Sequence, residues 1–133
     1  MIDIENELYT KVATALRAQF PGIFVTGEYT RVPPRFPCVM FMEADNTPYR
    51  RSQTQDDMEN HAAVLYEVDV FSNKTTGRKA ECRAIIKVID EIMMSLGFNR
   101  PFLNPIPNVD ESIYRITGRY TAVVSKDEVI FRR

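Results

Sequence analysis

Histidine is nearly missing from this sequence, and several kinds of chemistry go with it. His61 is the only one among 133 residues, which rules out multi-histidine metal sites and leaves a single imidazole as a possible general base. The sequence places no nucleophile beside it, so His61 is expected to be a solvated residue at the end of a loop. Cysteine is almost as scarce. Cys38 and Cys82 stand far apart with no close Cys or His neighbour, which argues against both a zinc knuckle and a disulfide framework. Each falls in or beside an apolar run, so both are expected to be small buried hydrophobes in a protein of the reducing cytoplasm.

An excess of charge of either sign is also absent. Seventeen Lys plus Arg against eighteen Asp plus Glu leave a net charge of −1, with no footprint for gripping a nucleic-acid backbone. No stretch approaches the roughly 20 apolar residues of a membrane span. The start, MIDIENELY, is acidic and polar, without the basic and apolar regions of a signal peptide. The expectation is a chain that is neither exported by that route nor embedded in a membrane.

What is present fits one domain with one core. From Asp3 to Gln19, Ile4, Leu8, Val12, Ala15 and Leu16 form a helical stripe, with Asp3 placed to cap it and Pro21-Gly22 to end it. Ile23 to Glu28 and Cys38 to Ala44 suit short strands, joined by a stiff segment holding Pro33, Pro34 and Pro37. Asp45 to His61 is polar and aperiodic, longer than a compact domain needs, and is expected to be a mobile loop. Ala62 to Phe71 is the clearest strand, with Val64, Tyr66, Val68 and Val70 on one face and Leu65, Glu67, Asp69 and Phe71 on the other.

A second helix is predicted from about Thr76 to Leu96 on the stripe Ile85, Val88, Ile89, Ile92 and Leu96, closed by Gly97 and Phe98. Asn99 to Asp110, with Pro101, Pro105 and Pro107, reads as loop. Ser112 to Val124 reads as a long strand with a bulge at Gly118, and Val129 to Phe131 as a short last one. This order predicts an α+β fold with one mixed, mostly antiparallel sheet of four or five strands and two helices packed on one face. The face bearing Leu65 and Phe71 is then either wet or in contact with another molecule.

Few residues carry chemistry. Gly77-Arg78-Lys79-Ala80 lacks the earlier glycine and the Ser or Thr of a phosphate loop. Glu67 and Asp69, joined by Glu43 or Asp45, would make a Mg²⁺-binding carboxylate cluster of nuclease type, but the accompanying Glu-x-Lys strand is missing. The other reading of these charges is a solvated or interface face. Arg50, Arg51, Asp56, Asp57 and Glu59 are placed to pair with a partner surface. Met94, flanked by Ile86 and Met93, is placed to widen the apolar surface of the second helix beyond what one sheet covers. With Tyr49 and Phe102 these give a candidate interface of Tyr49, Arg50, Arg51, Leu65, Glu67, Asp69, Phe71, Met94 and Phe102, with no catalytic, cofactor or metal residue assigned.

The strand Tyr66-Glu67-Val68-Asp69-Val70-Phe71, the helix end Met93-Met94-Ser95-Leu96-Gly97-Phe98 and the strand from Tyr114 to Val124, with its Tyr114-Arg115 and Arg119-Tyr120 pairs, resemble tail-terminator proteins of long-tailed bacteriophages and prophages. The resemblance spans nearly the whole chain. It implies a structural protein without cofactor that forms a hexameric ring on the tail tube, stops tube polymerisation and offers its other side to the head-completion or connector protein. It further implies assembly in the host bacterial cytoplasm and a place at the tail–head junction of the virion. Another neck or head-completion subunit is the alternative within this class, and a Mg-dependent nuclease the alternative outside it.

Overall fold

The computed structural model describes residues 1–49 and 61–130. Two helices, α1 (Glu5–Gln19) and α2 (Arg78–Ser95), lie on one face of a five-stranded sheet made of β1 (Phe24–Thr26), β2 (Cys38–Pro48), β3 (His61–Ser72), β4 (Asn99–Pro105) and β5 (Tyr114–Ser125). The strand order is β1-β2-β3-β5-β4, with β1 parallel to β2 and every other pair antiparallel. The α+β architecture read from the sequence is therefore the observed one.

Alternation places every second residue of the central strands under the helices. Val64, Tyr66, Val68 and Val70 of β3 meet Val39 and Phe41 of β2 and Ile116, Tyr120, Ala122 and Val124 of β5, all buried. Tyr66 anchors this layer, stacked on Phe41 at 5.5 Å and edge-on to Phe98 at 5.8 Å between ring centres. Helix α1 lies across β2 and supplies Leu8, Val12, Ala13 and Leu16. Helix α2 lies across β3 and β5 and supplies Cys82, Ile85, Ile86, Ile89 and Met93. Ile86 and Met93 are thus core, not an extension of an exposed patch, because α2 spans two strands and also touches α1.

The helix ends follow local rules. The cap position of α1 falls on Ile4 and not on the expected Asp3, whose carboxylate instead accepts a hydrogen bond from the Glu5 N–H at 3.2 Å. At the end of α2, Gly97 takes a φ of 100°; its N–H donates to Met94 O and the Phe98 N–H to Met93 O, both at 3.1 Å, while Phe98 is buried. That is a Schellman closure with its hydrophobic contact.

Three expectations are corrected. The polar stretch from Asp45 does not begin a loop: Asp45 to Pro48 continue β2 and pair with Leu65 to Ala62, and His61 opens β3. The rest of that expected mobile loop, with Arg50, Arg51, Asp56, Asp57 and Glu59, lies outside the described residues, as does Phe131. Asn99 to Pro105 is strand and not loop. As the sheet's outer strand it needs partners on one side only, and a register shift between Asn99 and Phe102 accommodates Pro101. Gly118 is no bulge, since the register runs through it unbroken to Val68 and Leu103. Of the expected last strand, Val129 to Phe131, the described residues show one bridge, between Val124 and Ile130.

Candidate functional site

The sheet face turned away from the helices carries most of the interface residues predicted from the sequence. On β3 it presents Leu65, Glu67, Asp69 and Phe71, each at a position directly opposite an outward residue of β5. Two arginines organise it. Arg119 lies opposite Glu67 and donates Nε–H to the Glu67 carboxylate at 3.2 Å, while its guanidinium covers the Phe102 ring at 4.7 Å. Phe102 in turn lies opposite Arg119 on β4. One rung thus runs carboxylate, arginine, aromatic across three strands.

The next rung repeats the pattern with a twist in its order. Asp69 Oδ1 accepts from Arg115 Nε at 3.0 Å and Nη2 at 2.9 Å, and from the Thr117 hydroxyl. Arg115 lies opposite Phe71 and sits 5.5 Å from its ring centre. A guanidinium held at its edge by a carboxylate and at its face by a ring has little freedom left. Asp69 and Thr117 are buried, whereas Glu67, Phe71, Arg115, Phe102 and Leu65 are half-buried.

One end of this face is roofed. Tyr29, Pro33 and Phe36 from the β1–β2 connection and Ile113 before β5 close over Met40 and Asp69. The same loops also show apolar residues to solvent: Tyr29 is 75 % exposed, Val32 78 % and Val109 fully so. Sequence reasoning assigned none of these three to the interface; an aromatic or valine beside prolines in a polar loop was the available signal. It also missed Arg115 and Arg119, although their spacing on a strand puts both on one face with Thr117 between them.

The remaining interface residues lie elsewhere. Tyr49 follows β2 and donates its N–H to His61 O at 2.7 Å. Met94 is 47 % exposed, but it projects from α2 on the opposite side of the molecule from Leu65 and Phe71. The structure therefore does not join it to the sheet face.

The carboxylate cluster does not assemble. Glu43 points to the helix side, where Tyr66 OH donates to it at 2.8 Å, while Glu67 and Asp69 point away and are each paired with arginine. Among the described residues no three His, Cys, Asp or Glu side chains form a group suited to a metal ion. His61 is half-buried at the start of β3, opposite Ser125, and not in a solvated loop. Cys38 and Cys82 are fully buried, and burial pushes their thiols up to about 11 and about 12 respectively. Gly77, at a φ of 83°, precedes α2, and Arg78 turns back to Lys74 O at 3.3 Å, so this turn closes on the chain itself.

No family model matches this sequence, and no curated protein matches it either. Among the described residues, no helix is long and apolar enough to cross a membrane. The sheet face turned from the helices pairs its carboxylates with arginines and is rich in aromatic and arginine side chains, the residue types favoured where proteins meet.

Proposed function

We propose that this protein is a tail-terminator subunit, which forms a ring on a finished tail tube, stops its polymerisation and provides the surface that joins the head. The observation that carries the reading is the sheet face that no helix covers among the described residues, where Glu67–Arg119–Phe102 is prearranged at the open end and Asp69–Arg115–Phe71 at the end covered by the β1–β2 connection. The segments on which the resemblance rests supply five of those six side chains, Phe102 being the exception. The end of that face around Glu67, Arg119 and Phe102 is left for stacking against a neighbour, and a role in capping a tube needs no reacting group.

In this reading the ring has six copies, with the tail-tube protein on one side and the head-completion or connector protein on the other. It works in the host cytoplasm during assembly and remains at the tail–head junction, without contact to a membrane or to specific nucleic acid. The nuclease alternative has less support, because Glu67 and Asp69 are each taken by an arginine and Glu43 turns to the other side of the sheet.

Deletion of the gene from its phage tests the proposal by electron microscopy of the lysate. The expected result is overlong tails that carry no heads, corrected by the gene supplied in trans. Tails of normal length that fail to join heads would transfer the assignment to another neck or head-completion subunit. Normal particles would overturn both.

A further inference from the structure

Two clefts of opposite charge lie on the helix-covered side, one at each edge of the sheet. The first, of about 410 Å³, opens between α2 and strands β4 and β5. Ile86, Leu103 and Ile116 form its apolar floor, and Arg83, Lys87 and Arg100 its rim. Its single acid is already used, since Asp90 pairs with Arg100 at 2.8 Å and accepts from Tyr120 OH at 3.0 Å. Lys79, Arg83 and Lys87 follow one another at four-residue spacing on α2, an arrangement of like charges that opposes helix formation. Among the described residues none of the three forms an ion pair, and Glu91, one turn beyond Lys87, does not reach it. The second cleft lies at the β1 edge. Asp3, Glu5 and Glu28 line it around Tyr9 and Phe41, with no cation among its lining residues.

We propose that the two clefts are the halves of a head-to-tail contact between copies of this chain, with Arg83 and Lys87 of one copy seated against Asp3 and Glu28 of the next. Charge complementarity identifies the occupant: the basic rim needs an acidic partner surface, and the opposite edge of the same fold carries one. Strand-to-strand extension is a poor alternative at the β4 edge, because Pro101 and Pro105 have no N–H to donate. Two different patches on opposite edges of one layer make a heterologous contact, which closes into a ring when the rotation allows. Closure rests on the ring reading above, whereas the pairwise contact can be measured without it.

The test is reciprocal charge reversal. Arg83→Glu with Lys87→Glu turns the basic rim acidic; Asp3→Lys with Glu28→Lys turns the acidic cleft basic. All four side chains are exposed. Asp3 also accepts the Glu5 N–H, so circular dichroism checks folding, and Glu28→Lys alone serves as the variant that touches no helix end. Self-association is read by sedimentation at low ionic strength and high protein concentration. Each double variant alone is expected to associate at least about tenfold more weakly than the parent, and their equal mixture to recover the parent's association within about threefold, since every contact in an alternating assembly is again complementary. Folded variants that associate like the parent, or a mixture that does not recover, overturn the proposal; so does a parent that stays monomeric under these conditions. Co-expression of the two variants in the gene-deleted phage gives the second readout. Rescue by the pair but by neither alone supports the contact. Failure of the pair, with overlong tails persisting, means that the basic cleft takes a different acidic partner and leaves the terminator reading standing.

Discussion

The Tyr66 hydroxyl donates to the Glu43 carboxylate at 2.8 Å, beneath the first turn of α1. Burial is the main force holding the Glu43 carboxyl above its ordinary value, and the nearby charges of Glu5 and Asp3 add to it. Hydrogen bonds from Tyr66 and Asn46 work in the other direction without cancelling it.

A pH dependence follows with a definite sign. Because the folded state favours protonated Glu43, the stability that this group contributes is present in acid and is lost as pH rises through its raised folded value. Glu43→Gln keeps an oxygen for Tyr66 and cannot ionise. Its Tm relative to the parent is expected to increase between about pH 4 and about pH 7, measured by thermal unfolding at each pH. A difference that shrinks over that range would contradict the assignment.

The cysteines are expected to be silent in the native state. Burial raises both, with the charge of Glu81 adding at Cys82 and that of Asp69 at Cys38, so neither supplies thiolate near neutrality. An aromatic disulfide reagent should label them only at the rate of global opening, and within seconds in denaturant. Rapid labelling of the folded protein would show that one of them is accessible.

Gly118 is expected to resist enlargement for a reason other than turn geometry. A Cβ there would meet Leu103 Cδ1 and Tyr120 Cε2 at 3.3 Å, directly under α2. Gly118→Val should destabilise the protein by about 1–3 kcal/mol in urea unfolding, through overpacking of that layer. A variant as stable as the parent would mean that Leu103 and Tyr120 yield freely.

Gly118 also shows where sequence reading stops. A glycine within a strand announces some local exception, but bulge and close approach look alike until the helix above is placed. The alternation of Val64, Tyr66, Val68 and Val70 carried its own meaning, as did Gly97 and Phe98, because each depends on neighbours in sequence. β4 was hidden because prolines exclude a residue from a central strand but not from an outer one, and only the β5 pairing reveals which this is. Asp45 to Pro48 look polar because they run at one end of the sheet, where the partner strand, not burial, holds them. The open face was legible in Leu65 and Phe71, whereas the arginines that organise it were not: matching Glu67 to Arg119 requires a register between strands about 50 residues apart.

The two arginine–carboxylate rungs make the last prediction, and they should respond unequally. Asp69 is buried and accepts from Arg115 twice and from Thr117, so Asp69→Ala leaves both donors unsatisfied in a partly enclosed place. Arg115 keeps about a third of its surface in solvent, so the loss is expected to be about 1–3 kcal/mol, less than for a fully enclosed pair. Glu67 meets Arg119 where both are more open, and Glu67→Ala should cost no more than about 1 kcal/mol. Urea unfolding of the two variants measures the difference. Plasmid cleavage in Mg²⁺ supplies the functional half: no activity is expected from the parent, so Asp69→Ala should change stability alone. Mg²⁺-dependent cleavage by the parent that vanishes in Asp69→Ala would show that Asp69 serves a metal and not Arg115, and the structural reading of this face would fall.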